Sequence, residues 1–201
     1  MRHMKQLWKV LAAVMMLTVL ARGAQAAPFD RQFIDSMVPH HESALMMAQM
    51  AVTKARLPQV KALARGIISD QQREIAQMKA WRKAWFGNAQ VPMSMTNDKG
   101  IMMSGMKMSN MKMTMPGTMM GLPMKMEMDM GKLSRAKGRD FDKIFLQMMI
   151  PHHASAIVMA DEARNMSGRP QLRNLARNII ASQAREIGQM QGILDRYFRR
   201  N

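Results

Sequence analysis

The sequence predicts an all-α protein, a four-helix bundle built from two duplicated helical hairpins with a long Met-rich segment between them. Three observations carry this. First, a unit recurs at a constant offset of 112 residues: Phe29-Asp30, Phe33, Met37, Pro39-His40-His41, Ser43-Ala44 and Met47-Ala48 return as Phe141-Asp142, Phe145, Met149, Pro151-His152-His153, Ser155-Ala156 and Met159-Ala160. The register holds through Pro58-Gln59 and Pro170-Gln171, Gln71 and Gln183, Glu74-Ile75 and Glu186-Ile187. Second, the apolar residues of each copy fall at three- and four-residue steps, the spacing of one helix face. Third, the alternating Val/Ile/Thr runs that signal strands are missing.

Residues 1–26 read as a cleavable export signal. Arg2, Lys5 and Lys9 give the positive start, Val10 to Ala21 an apolar stretch too short to span a bilayer, and Ala24-Gln25-Ala26 a small-x-small cleavage site. The expected location is the periplasm, with no stable membrane insertion once the signal is removed. The remaining chain, residues 27–201, suits a single domain. Without the four basic residues of the leader the formal charge falls from +16 to +12. Export makes nucleic acid a poor partner for that charge, and anionic envelope surfaces a better one. Cysteine is absent, so no disulfide holds the fold. A thioether also survives as a ligand in an oxidising compartment where a thiol would be oxidised.

The first hairpin is placed at 27–87. Phe33, Met37, His40, Ala44 and Met47 share one face of its first helix. Pro58 suits the first turn of the second helix. There the inner face runs Val60, Leu63, Ala64, Ile67, Gln71, Glu74, Met78 and Trp81, and Gly87 is the stop signal. The second hairpin, 140–201, repeats this with Phe145, Met149, His152, Ala156 and Met159. After Pro170 follow Leu172, Leu175, Ala176, Ile179, Gln183, Glu186 and Met190. Pro39 and Pro151 fall inside the first helix of each hairpin and are expected to kink or restart it beside the histidines. Asp30 and Asp142 read as helix-start residues, and Trp81, Trp85 and Tyr197 as packing.

Residues 88–139 form the linker. It has no periodic apolar face, glycine and proline break it repeatedly, and it is expected to lack regular structure without metal. At about 3.3 Å per residue it can cross the bundle's length, the long central connection of a ferritin-like bundle.

Fifteen of the 29 methionines lie in this linker, many as M-x-M. Met93, Met95, Met106, Met108, Met111, Met113, Met115, Met124, Met126, Met128 and Met130 are its candidate ligands. Residues two apart on an extended chain lie on one side, so flexible thioethers can converge on one ion. Sulfur at this density selects soft ions, Cu(I) first and Ag(I) with it. Hydrophobic filler is excluded by the near absence of Leu, Ile and Val. An oxidation sink is the other use of so much methionine.

His40-His41 and His152-His153 are the second candidate set, with Cu(II) as a further possible ion there. Imidazole is a common metal ligand, and these four are all the histidines outside the leader. Adjacent helix residues sit about 100° apart, so each pair presents one ring inward and one to the flank. His40 is expected to be the inner one. A histidine must be neutral to bind metal, so these sites are expected to weaken below roughly pH 6. Glu74 and Glu186 interrupt an apolar face and must meet a cation, a donor or a metal. Either they ligate directly or they orient a histidine, with Gln71, Gln183, Arg73 and Arg185 as other partners. Met37, Met47, Met149 and Met159 are core residues whose spacing from the histidines leaves ligation open.

The repeated M-[VI]-P-H-H-x-S-A-x-x-M-A, followed by P-Q-[VL]-x-x-L-A-x-x-I-I-x-x-Q-x-x-E-I-x-Q-M, resembles the domain of unknown function family numbered 305. That resemblance covers both hairpins. It implies a ferritin-like four-helix bundle in exported proteins, some implicated in periplasmic copper binding and tolerance. The family's motif ligands would map onto Met37, His40, His41, Met47, Met149, His152, His153 and Met159. The long Met-rich insert is a departure from the family pattern.

The expected function is therefore a periplasmic copper-binding protein that buffers or chaperones Cu(I) for copper tolerance, and not an enzyme. Its partners would be metal ions and other periplasmic copper-handling proteins. The alternative is a ferritin-like metallo-oxidase acting on Cu(I) or Fe(II). A di-iron centre wants several Glu ligands and Glu-x-x-His, and neither Glu74 nor Glu186 has a histidine three residues on. A purely structural envelope protein leaves the methionine density unexplained.

Overall fold

A computed structural model describes residues 29–87, 96–97, 100–101 and 130–199. The leader and most of the linker lie outside the described residues. Among the described residues there are five helices: α1 (29–54), α2 (Pro58–Phe86), α3 (130–135), α4 (Gly138–Met166) and α5 (Pro170–Phe198). The fold is an all-α four-helix bundle. α2, α4 and α5 each have 29 residues, which at about 1.5 Å per residue makes rods some 43 Å long. Pro58 and Pro170 start α2 and α5, where a missing N–H costs nothing. Gly87 ends α2 at φ +77°, a conformation that disfavours any side chain.

Side-chain pairs fix the helix directions. Asp35 with Arg82 and Glu42 with Lys79 make α1 and α2 antiparallel. His40 with Ser155 and Ser43 with His152 do the same for α1 and α4. Gln59 with Tyr197 does so for α2 and α5. The order is up-down-down-up, so the linker must join opposite ends of the bundle. The two hairpins are related by a pseudo-two-fold axis perpendicular to the bundle, which passes between α1 and α4 and emerges between α2 and α5.

The core is two apolar clusters. Around the α1–α2 turn lie Met47, Ala51, Val60, Ile67, Phe141, Phe145, Leu146 and Met149. At the other end lie Phe33, Ile34, Met37, Ile75, Met78, Met159, Leu172 and Ile179. Histidines, serines, glutamines and glutamates occupy the middle of the bundle between them.

Four expectations need correction. The helices run unbroken through Pro39 and Pro151. The carbonyls these prolines deprive of a partner belong to Asp35 and Gln147, which lie toward solvent, so water can replace the lost bond. The linker's last part, placed in 88–139 as irregular, forms α3 and the start of α4. Leu133 is fully buried, and Met130, a proposed ligand, packs in the apolar cluster. A two-residue antiparallel pair, Thr96–Asn97 with Gly100–Ile101, lies further back in the same segment. Asp142 does not start its own helix. Its carboxylate crosses to the other hairpin and accepts the Arg56 and Leu57 backbone N–H groups at 2.9 and 2.8 Å, closing the α1–α2 turn. Asp30 takes the equivalent place at the α4–α5 turn, with Arg169 Nε at 3.4 Å. Finally, α2 is rotated from its expected stripe: Ile75 and Arg82 are buried while Glu74 and Trp81 are half-buried. Arg82 is only 2% exposed because the Asp35 carboxylate grips it at 2.6 and 3.2 Å.

Candidate metal centre

Where α1 crosses α4, four imidazoles stand in a row. Ring centroids are 6.3 Å apart from His41 to His40, 3.9 Å from His40 to His152, and 6.3 Å from His152 to His153. His41 and His153 are fully buried and His40 keeps a partly exposed edge. The inner residue of the first pair is therefore His41, not His40. His41 lies four residues from Met37 and seven from both Ile34 and Ala48, all fully buried, so it is on the axis of the real stripe.

Each ring is held by a bond to Nε2, and the bonds obey the two-fold. His41 Nε2 donates to Glu74 Oε2 at 2.8 Å, and His153 Nε2 to Glu186 Oε2 at 2.7 Å. His40 Nε2 meets Ser155 Oγ, and His152 Nε2 meets Ser43 Oγ, both at 2.8 Å. Ser43 gives its own proton to the His40 carbonyl and Ser155 its proton to the His152 carbonyl, each at 2.7 Å. Each hydroxyl oxygen must then accept, which puts a proton on Nε2 of His40 and His152. With the glutamates ionised, all four rings thus carry their proton on Nε2, and all four Nδ1 atoms are buried without a hydrogen-bond partner.

Electrostatics keep His40, His41 and His152 neutral. Burial, then the neighbouring His41 and His153, pushes His40 down to about 3. Burial and then His153 push His41 down to about 3, against the pull of Glu186. Burial and then the other three rings hold His152 well below the ordinary histidine range. Burial and then Asp70 push Glu74 up to about 7, against Arg73. Above about pH 7 the short His41–Glu74 contact is therefore a neutral imidazole donating to a carboxylate, not an imidazolium ion pair, and below it the carboxyl holds the proton itself. The expectation that imidazole fails near pH 6 rested on the free-histidine value, and burial moves it downward.

The structure brings His40, His41, His152, His153, Glu74 and Glu186 together, with the glutamates bonded to imidazole. Met37 and His41, like Met149 and His153, are four residues apart on one buried face, where helix neighbours meet. Met47 and Met159 are buried in the flanking clusters. Met93, Met95, Met106, Met108, Met111, Met113, Met115, Met124, Met126 and Met128 lie outside the described residues. Gln71 and Gln183 do not bond the glutamates: both amides are 2% exposed with oxygen and nitrogen unpartnered. Arg73 turns away to Asp70 and Ser69. The serines were missed, although the repeated H-H-x-S already placed a hydroxyl two residues beyond each histidine pair.

The donor set fits a soft ion. Among the described residues no group of three or more His, Asp or Glu is placed to hold a metal. Met37 and Met149 lie one turn from His41 and His153 on the same buried face, so sulfur is the donor at hand beside imidazole, and thioether with imidazole suits soft ions. Nδ1 carries the free lone pair while Nε2–H is bound to a carboxylate, the arrangement that orients metal-ligating histidines and raises their basicity.

Fold and centre together define a duplicated four-helix bundle with a buried imidazole layer flanked by thioethers. The chain belongs to the Domain of unknown function (DUF305) family, which matches residues 30–194. Among solved structures it is similar to CopM in the Cu(I)-bound form, with 35% identity, 85% of this chain and 98% of that chain covered, and a TM-score of 0.63. CopM is also solved in Cu(II)-bound and Ag-bound forms. The DUF305 fragment from Deinococcus radiodurans is 27% identical over 84% of this chain and 97% of its own, with a TM-score of 0.65. The uncharacterized protein L153 of Acanthamoeba polyphaga mimivirus is 34% identical over 71 residues, 35% of this chain. The chain spans about half the length of that relative, 47%. Among the described residues no helix is long and apolar enough to cross a membrane.

Proposed function

We propose that this protein is an exported copper-binding protein that buffers or chaperones Cu(I), and with it Ag(I), for copper tolerance. The observation that carries the reading is the set of four buried, unpartnered Nδ1 atoms, each ring held by a bond on Nε2, with buried Met37 and Met149 one turn from His41 and His153. Copper and silver in the solved forms of the similar CopM support it. The linker methionines add a second, larger store whose thioethers hold no proton to displace in mild acid. Binding rather than turnover fits the carboxylate supply: Glu74 and Glu186 are the two at the centre, and each is engaged by an imidazole.

Titration with Cu(I), Ag(I), Cu(II) and Fe(II), with and without residues 92–128, tests this. The shortened chain should keep a histidine-dependent copper site and lose most of its Cu(I) capacity. Sustained oxidation of Cu(I) or Fe(II) by oxygen would replace this reading with the oxidase.

A further inference from the structure

The outer rings of the row, His41 and His153, are fully buried, and metal needs a way in to them. Along the bundle axis the two apolar clusters close it off. On the α1–α4 face the reciprocal histidine–serine bonds tie the helices together. The α2–α5 face is different. A groove of about 570 Å³ opens there, lined by Asp70, Arg73, Glu74 and Gln77 of α2 and by Ala181, Ser182 and Arg185 of α5 among others. Asp70 with Ser182 and Arg73 with Arg185 are pairs in the repeat register, so the groove straddles the pseudo-two-fold axis. Following that axis inward leads to the paired His40 and His152 rings, whose centroids are 3.9 Å apart.

Glu74 belongs to both places. Its side chain lines the groove and is 13% exposed, while its Oε2 lies 2.8 Å from Nε2 of His41, which is fully buried. Of the two arginines lining the groove, Arg73, the neighbour of Glu74, is held on Asp70 and Ser69, and Arg185 lies across on α5. A carboxylate between water and a buried donor set can replace part of an ion's hydration before softer ligands take it.

We propose that the α2–α5 groove is the port through which copper or silver ions enter and leave the imidazole row, with Glu74 as the carboxylate at its inner end. This rests on the metal reading above. Asp70 makes the mouth asymmetric, since the second copy offers Ser182 in its place.

The test uses the full chain and Cu(II). Stopped-flow follows loading and chelator-driven release at the imidazole-to-copper absorption, and equilibrium dialysis measures affinity. Ala181→Trp and Gln77→Trp fill the groove from opposite helices at exposed positions. Both should slow loading and release at least tenfold and alike, leaving affinity within twofold, while Gln72→Trp, also exposed but outside the groove, changes neither. The milder pair Ser182→Asp and Ser182→Arg should speed and slow loading respectively. Unchanged rates in these variants would overturn the port, as would a loss of affinity through release alone. Failure of the unmodified chain to load its imidazoles at equilibrium would overturn the metal reading itself, and the port with it.

Discussion

Glu74→Gln keeps the length of the side chain and removes its charge. The His41 ring then loses the carboxylate that fixes its proton on Nε2, and Nδ1 becomes a weaker ligand. Outer partners of this kind are worth about 10- to 100-fold in metal affinity. Glu74→Gln and Glu186→Gln should each weaken copper at the bundle by at least about tenfold in equilibrium dialysis. Thermal melts above pH 7 should stay level or rise for Glu74→Gln, because burial already disfavours that carboxylate's ionised form. A parallel fall in stability and affinity would reduce the glutamate to a packing residue. The histidine pair and the glutamate were legible as a repeated interruption of apolar faces. Which ring lay inside was not, because His40 and His41 fit equally regular spacings and the choice fell to packing by Ile34, Val38 and Ala48.

At the scale of elements, the turns are held by carboxylates from the opposite hairpin. Asp142 is fully buried and accepts two backbone N–H groups at the start of α2. Removing it leaves two enclosed donors unpaired, at roughly 1–3 kcal/mol each before relaxation. Asp142→Ala should lower urea stability by about 2–3 kcal/mol. Asp30→Ala should cost less, since burial already holds the Asp30 carboxyl above its usual range and its Oδ1 has no partner. Equal losses would show that the two turns are not distinguished by these bonds. Helix starts at Pro58 and Pro170 and the stop at Gly87 were legible because those residues act locally. The aspartates were not: a helix-start residue and a long-range cap look alike in sequence, and only the hairpin-to-hairpin packing separates them. The unbroken helices at Pro39 and Pro151 are hidden in the same way.

For the whole molecule, the burial of neutral His40, His41 and His152 makes stability depend on pH. His40, His41 and His152 bind protons less readily folded than unfolded, so each favours the unfolded chain below about pH 6.5, and stability falls as pH falls. Glu74 works the other way: folded at about 7 against 4.5 unfolded, it favours the folded state as pH drops through that window. Asp30, also raised, acts with it. Three groups against two predict that stability falls as pH drops from about 6 to 4.5, the histidines outweighing the two carboxyls. Chemical denaturation across that range checks it, and a flat profile would mean the rings are not enclosed. The duplication, the helical class and the two-fold arrangement were legible because a fixed offset and period survive at every scale. The Met-rich segment was legible as composition, but α3 was not, because Leu133 is a lone apolar anchor without a periodic partner.

The central claim is that four Nδ1 lone pairs are kept free and that those of His41 and His153 are directed at a soft ion. Long-range proton–nitrogen correlation spectra of the ¹⁵N-labelled protein, recorded without metal and with Ag(I), test it at each ring. Four bundle histidines protonated on Nε2 without metal are expected, with an Ag(I)-dependent shift of Nδ1 in His41 and His153 while Nε2–H is retained. Rings protonated on Nδ1, or Nδ1 signals unmoved by Ag(I), would contradict it.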